Sequence, residues 1–257
     1  MNNDAITFSV VIPAYNAAGT ICRAIDSCLR QSYMPHEIIV VDDAGTDNTE
    51  EILINTYGNK ITYTRLVQNG GAGLARNKGI ERASGNYIAF LDADDIWHEQ
   101  KLEIAASILG AQPGIYFLYH PYTLNDIHTV TVPGSATLFR LPFIKLLQHN
   151  PIATPCAIVR NIPAIRFEPS MRYSEDYDLW LRTAYKYKAY FIDVPLTQIG
   201  RPILSEGGVS ANKWKMRAGE MKAFRRLMRL NPLFLLAMPF LYTYSLGKHI
   251  FKSITGK

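Results

Sequence analysis

Only three cysteines, Cys22, Cys28 and Cys156, occur in the 257 residues. They are too few for a disulfide framework and lack metal-ligand spacing. Cys22 and Cys28 lie six apart in one helical segment; they read as core or half-buried thiols and suit a reducing compartment. No apolar run reaches the ~20 residues of a spanning helix. The closest, 233–246, is interrupted by Pro239, Thr243 and Ser245. The opening Met1-Asn2-Asn3-Asp4 has no basic region, so no signal peptide is expected. Internal repeats and low-complexity tracts are also missing. The loop from Pro13 to Gly19 has no G-x-G-x-x-G fingerprint, which weakens a hydride-transfer reading. Nor does it supply the glycine- and base-rich triphosphate loop of a nucleotidyltransferase.

Charged residues make up 19% of the chain against 48% hydrophobic, enough to bury a substantial core. The charge is unevenly spread. Residues 212–257 hold ten Lys/Arg and one acid, whereas the remainder carries 17 bases and 21 acids. A basic tail on a mildly acidic body predicts contact with an anionic surface. No nucleic-acid motif accompanies it, so no nucleic-acid partner is expected.

Apolar runs at 8–12, 37–41, 61–67 and 87–91 alternate with helical signals at 18–31, from an N-cap within 46–49 to about 57, at 73–83 and at 99–109. This order predicts an α/β fold whose parallel sheet carries helices on both faces and binds ligands beyond the carboxyl ends of its strands. A later helix is predicted at 175–186, with Tyr177, Trp180, Leu181, Ala184 and Tyr185 on one face, and a late strand at 190–194.

Three polar clusters fall at the predicted ligand edge. Asp42-Asp43 closes the second strand, with at least one carboxylate expected in the crevice; a turn and helix-cap role is the alternative. Asp92-Ala93-Asp94-Asp95 ends the fourth strand. Three carboxylates in four residues repel one another unless a cation or hydrogen-bond donors offset them, and hard divalent ions prefer oxygen ligands and substrate phosphate; a solvated acidic turn that caps the next helix, Asp95 included, is the alternative. The third cluster, 68–79, joins glycines that admit close backbone approach to Arg76 and Lys78, which can offset phosphate charge or simply sit on a helix surface.

Val10-Val-Ile-Pro-Ala-Tyr-Asn16, Val40 to Thr49, Gly73-Leu-Ala-Arg-Asn-Lys-Gly79, Tyr87 to Trp97 and Ser174-Glu-Asp-Tyr-Asp-Leu-Trp180 occur in that order. Together they resemble family 2 glycosyltransferases of the GT-A fold over about residues 6–187. The resemblance implies a Rossmann-like, mostly parallel sheet and inverting transfer from a nucleotide-sugar, UDP-linked by preference, with Mn²⁺ or Mg²⁺. It places Pro13, Ala14, Tyr15 and Asp43 around the nucleoside, and Arg76 near diphosphate or ribose. Asp92 and Asp94 match the D-x-D pair, with Asp94 the direct metal ligand, and Asp92 on donor or metal. Asp176 matches the catalytic base, with Glu175 next in line for base or acceptor contact. An inverting displacement needs such a carboxylate to take the acceptor proton. A carboxylate also suits this position simply because a helix begins there.

The chain departs from the family pattern after Gly200, where the usual Arg-x-His is missing. Arg201, Lys213 and Lys215 are the candidate diphosphate contacts there, Lys213 foremost, and Trp214 is a candidate sugar stack, with a core or membrane-anchor role as the alternative. The expected organisation is a catalytic domain at 1–211, with a nucleotide half to about 112 and an acceptor half from 113, followed by a tail at 212–257. That tail, a basic amphipathic helix leading into a short apolar hairpin, suits peripheral attachment to the cytoplasmic face of the plasma membrane. A helix packed on the catalytic body, or a homodimer contact, is the alternative. Membrane attachment would serve a polyprenyl-diphosphate-linked saccharide acceptor in surface-polysaccharide assembly. A membrane-associated scaffold without turnover is the competing function class.

Overall fold

The computed structural model describes residues 5–134, 136–200 and 212–255, the last eight by backbone alone. The first half alternates as its periodicity predicts: β1 (Phe8–Ala14), α1 (Ile21–Leu29), β2 (Glu37–Asp42), α2 (Thr49–Tyr57), β3 (Thr62–Arg65), α3 (Ala72–Arg82) and β4 (Tyr87–Phe90). The second half runs β5 (Ile96–Trp97), α4 (Lys101–Ala111), β6 (Phe117–Tyr119), β7 (Tyr122–Thr123), β8 (Leu138–Leu141), α5 (Phe143–Gln148) and β9 (Ala157–Arg160). It continues through α6 (Glu175–Tyr187), β10 (Ala189–Ile192), β11 (Thr197–Gln198), α7 (Lys213–Leu230) and α8 (Phe234–Thr255).

One sheet orders its strands β3-β2-β1-β4-β9-β6-β10-β8, and β5-β11-β7 form a small second sheet. β3, β2, β1 and β4 are parallel. β9 then inserts antiparallel to both β4 and β6, and β10 returns parallel to β6. The chain leaves β1 toward β2 and β3 and comes back to β4 on its other side. The strand order therefore reverses beside β1, which is where an open α/β sheet opens its ligand crevice.

Side-chain alternation along β1 builds a core on each face. Val10 and Ile12 pack with Ile21, Ala24 and Ile25 of α1, while Val11 faces Ile80, Phe90 and Trp180. Both faces are covered, which is why the parallel strands read as unbroken apolar runs.

Several expectations change. The first helix starts at Ile21 rather than 18, because the Ala17 carbonyl accepts from both Thr20 and Ile21 in a tight turn. The third strand is shorter than 61–67, and Val67 is exposed. Tyr185 does not share the buried face of α6; it is 40% exposed, tilted against Phe143 and edge-on to Phe234. The apolar hairpin is instead one 22-residue helix, α8, which runs through Pro239. No described helix is long and apolar enough to cross a membrane.

The basic helix α7 packs on the body. Its Ala223, Phe224 and Leu227 join Trp180 and Leu181 of α6 in one core, together with Met238 and Leu241 of α8. Arg226 reaches Asp178 Oδ1 at 2.8 Å, while Arg182 takes the other oxygen at 2.8 Å. Arg226 also meets Glu168 at 2.5 Å.

Candidate active site

Three of the four non-glycine residues with positive φ among those described stand at this sheet edge: Asn16 (49°) after β1, Ala44 (59°) after β2 and Ser174 (55°) before α6. Such conformations cost energy and persist where surrounding structure enforces them, which is characteristic of functional sites.

The structure brings Arg76, Asp92, Glu175 and Asp176 together from three distant segments. Arg76 rises from α3 with its side chain 6% exposed. Its Nη2 donates to Asp92 Oδ1 at 2.7 Å and its Nη1 to Glu175 Oε1 at 3.3 Å. The guanidinium also lies 5.4 Å from the Phe167 ring centroid, and its buried Nε has no hydrogen-bond partner among the described residues. Arg76 thus ties the acidic turn to the start of α6. Buried as it is, its charge is sustained by the Asp92 and Glu175 carboxylates.

Asp176 lies in a cleft of about 190 Å³ lined with Arg76, Thr154, Tyr173, Glu175 and Met216. Burial first, then the charge of Glu175, pushes its carboxyl up to about 7. Its Oδ2 accepts a 3.1 Å hydrogen bond from Asn150 Nδ2, which fixes the carboxyl's direction. A carboxyl so poised accepts a proton effectively near neutral pH. Asn150 and Thr154 come from the proline-rich middle, where nothing in the local sequence marks them; the contact spans 26 residues and forms only with the fold.

Asp43 accepts from Gly70 N and Gly71 N, both at 2.7 Å, and so pins the glycine loop beside β1. Both carboxylates of the Asp42-Asp43 pair are buried. Asp42 caps Gly45 N at 2.7 Å and accepts from Tyr63 Oη at 3.0 Å. Beside them Pro13 is half-buried and Tyr15 exposed. The Ala14 side chain lies in the core, so only its backbone faces this edge, and its carbonyl accepts from Asp43 N at 2.8 Å. Lys78 points away and pairs with Glu81 on the surface. Lys213 opens α7 half-buried and Trp214 is exposed, while Arg201 lies outside the described residues.

In the acidic turn, Asp92 and Asp94 are half-buried and Asp95 is buried. Burial, then Asp92, pushes Asp95 up to about 8, with Asp94 adding to the effect. Asp95 does not cap α4; its Oδ1 accepts from Gly200 N at 2.8 Å. A Cβ on Gly200 would collide with the Asp94 carbonyl, so the chain just after β11 rests on the turn. Below it Lys101 is fully buried, donating to the Pro155 carbonyl at 2.7 Å, 3.8 Å from the Trp97 ring centroid. Burial brings its ammonium down to about 7.

The turn's excess negative charge and hard oxygen donors fit a divalent cation. Among the described residues no three His, Cys, Asp or Glu side chains converge on one point. One or two carboxylates would therefore share such an ion with water and substrate phosphate.

The family model described as "Glycosyl transferase family 2" matches residues 9–165. The chain is 31% identical over 212 residues to the Escherichia coli UDP-Glc:alpha-D-GlcNAc-diphosphoundecaprenol beta-1,3-glucosyltransferase WfgD, covering 82% of this chain and 83% of that protein. Some other curated relatives are longer, and the chain spans 60% of their length. S. aureus TarS 1-349 in complex with UDP-GlcNAc has a similar fold, with a TM-score of 0.69 at 21% identity over 87% of this chain and 67% of that one. The Pyrobaculum calidifontis mannosyltransferase PcManGT, solved with GDP-Man and Mn2+, has a TM-score of 0.63 at 18% identity, covering 97% and 76%.

Proposed function

The chain belongs to glycosyl transferase family 2, and from that premise we propose that it moves a sugar, with inversion, from a UDP-sugar to a lipid-diphosphate-linked saccharide. UDP-hexose and UDP-N-acetylhexosamine are the favoured donors. One observation carries the proposal: the Asp176 carboxyl, pushed up by its burial, stands in one cleft with the Arg76 that holds Asp92. A proton acceptor and a diphosphate-side acidic turn are the two ends that an inverting displacement requires.

In this proposal Asp176 takes the proton of the attacking acceptor hydroxyl, and Asn150 keeps its oxygen aimed. Glu175 helps hold that carboxyl basic enough to accept it. Asp94, with Asp92, would hold Mn²⁺ or Mg²⁺, which when bound supplies positive charge against the leaving diphosphate. Asp43 and the edge formed by Pro13, Ala14 and Tyr15 hold the nucleoside. Arg76 offsets charge between the two ends, and Lys213 meets the diphosphate from above.

The acceptor class rests on the named activity of WfgD and on the C-terminal surface. The core packing of α7 removes Ala223, Phe224 and Leu227 from any lipid contact. α8 and the turn before it still expose Leu233, Leu235, Leu236 and Phe240. With the exposed bases of α7, they support peripheral attachment to an anionic membrane face.

Donor binding is directly measurable. A matched UDP-sugar at a hundredfold excess over its Kd, with Mn²⁺, should raise Tm by roughly 5–10 °C for a protein of this size. Asp94→Ala should lose the part of that shift that depends on Mn²⁺. A larger shift with GDP-sugars than with any UDP-sugar would overturn the donor assignment.

A further inference from the structure

Beside the cleft of Asp176 lies a second recess, of about 110 Å³, with Tyr173 as the shared wall. Arg172, Lys215 and Lys222 line it. Among the described residues no carboxylate pairs with any of the three. The neighbouring Arg76, Arg182 and Arg226, by contrast, are each neutralised by acids.

The recess is built rather than incidental. Lys215, Gly219 and Lys222 follow one another along a single face of α7. A Cβ on Gly219 would strike the Tyr173 carbonyl, so the helix lies directly on the 171–174 backbone. Ser174 Oγ donates to the Met216 carbonyl at 3.0 Å and fixes the helix's register there. Arg172 is oriented by Asn69, donating to its Oδ1 at 3.2 Å and its carbonyl at 2.8 Å. Lys215 Nζ sits 5.5 Å from the Tyr173 ring centroid. Three cations around a small recess, two of them oriented and none paired with a carboxylate among the described residues, favour a multiply charged anion such as a diphosphate.

We propose that this recess binds the diphosphate of the lipid-linked acceptor; the inference rests on the acceptor class proposed above. In an inverting displacement the acceptor approaches from the side opposite the leaving group. The acceptor sugar would then occupy the cleft at Asp176, and its diphosphate the adjoining recess across Tyr173. Its lipid chain would leave along α7 toward α8, which is tied to α7 by Ser245 Oγ on Glu220 at 2.7 Å.

Diphosphate chemistry has two other sources here, the donor and anionic lipid headgroups, and the test separates them. Full-length protein, Lys222→Ala and the double variant Arg172→Ala/Lys222→Ala are assayed with GlcNAc-diphospho-lipid in detergent. The same proteins are assayed with an alkyl GlcNAc glycoside lacking phosphate, and sedimented with phosphatidylglycerol vesicles. The acceptor KM for the diphospho-lipid should rise about tenfold per cation removed, the loss of one charge-assisted contact. Donor KM and turnover of the alkyl glycoside should stay as in the parent, and vesicle sedimentation should weaken by no more than the loss of one or two exposed bases explains. A raised donor KM would give the recess to the donor, and lost sedimentation with an unchanged acceptor KM would give it to headgroups; either overturns the proposal, as does no change in any readout. Lys222 is exposed, so the single variant keeps the test independent of folding. If the parent transfers to the alkyl glycoside but never to the diphospho-lipid, the acceptor class falls, and the recess assignment with it.

Discussion

Asp176→Asn should lower kcat about a thousandfold, within the range that a positioned general base contributes, while leaving donor-induced thermal shifts intact. The pH profile gives a second signature. The base works as the carboxylate, so parent activity should rise with pH through about 7, falling about tenfold per unit on the acid side. The variant should show no such limb. Glu175 is the second cause of the raised value after burial, so Glu175→Gln should move the parent's limb to lower pH. Stability distinguishes chemistry from damage. A carboxyl raised from 3.8 to about 7 favours the folded state below the unfolded value, and that advantage disappears as pH rises through 7. Above pH 7 the half-buried carboxylate opposes folding, so Asp176→Asn should melt no lower than the parent at pH 8. Near-normal turnover would remove Asp176 from the base role, and a lowered Tm would mean that its part is structural.

The second large effect concerns stability alone. Arg226→Ala should destabilise the protein by about 3 kcal/mol, at the lower end for breaking a buried ion pair by removing one partner. That corresponds to a Tm lower by roughly 6–12 °C. Asp178 is 0% exposed, and Arg226 supplies one of its two guanidinium partners. The Coulomb gain of such a pair mostly offsets the cost of burying it; removing one side leaves the carboxylate's burial uncompensated. Thermal unfolding at neutral pH checks this, and a shift under 2 °C would show that α7 rests on α6 without relying on the pair.

Arg226 also shows where the sequence stops being legible. Ten bases in 46 residues look alike in a charge count. Which one is buried against an acid depends on how α7 crosses α6. The parallel half of the fold is readable because β1, β2 and β4 are covered on both faces and α1 carries a clear apolar stripe. The acidic turn and the start of α6 are readable because unusual acid spacing survives in one dimension. Asn150, Thr154 and Arg172 are not, since each enters the site region only through contacts across long sequence separations. The apolar tail reads as a hairpin because Pro239 suggests a turn, whereas α8 continues through it. Asp95 illustrates the same limit at short range: its neighbours mark it as one more acid of the turn, and only the folded chain shows it holding Gly200.

The most direct test of inverting transfer is the anomeric configuration of the product, read by NMR after incubation with an α-configured UDP-sugar, Mn²⁺ and a GlcNAc-diphospho-lipid. A β-linked disaccharide on the lipid and release of UDP are expected, both lost in Asp176→Asn. An α-linked product, or full β-transfer by the Asp176→Asn variant, would contradict it.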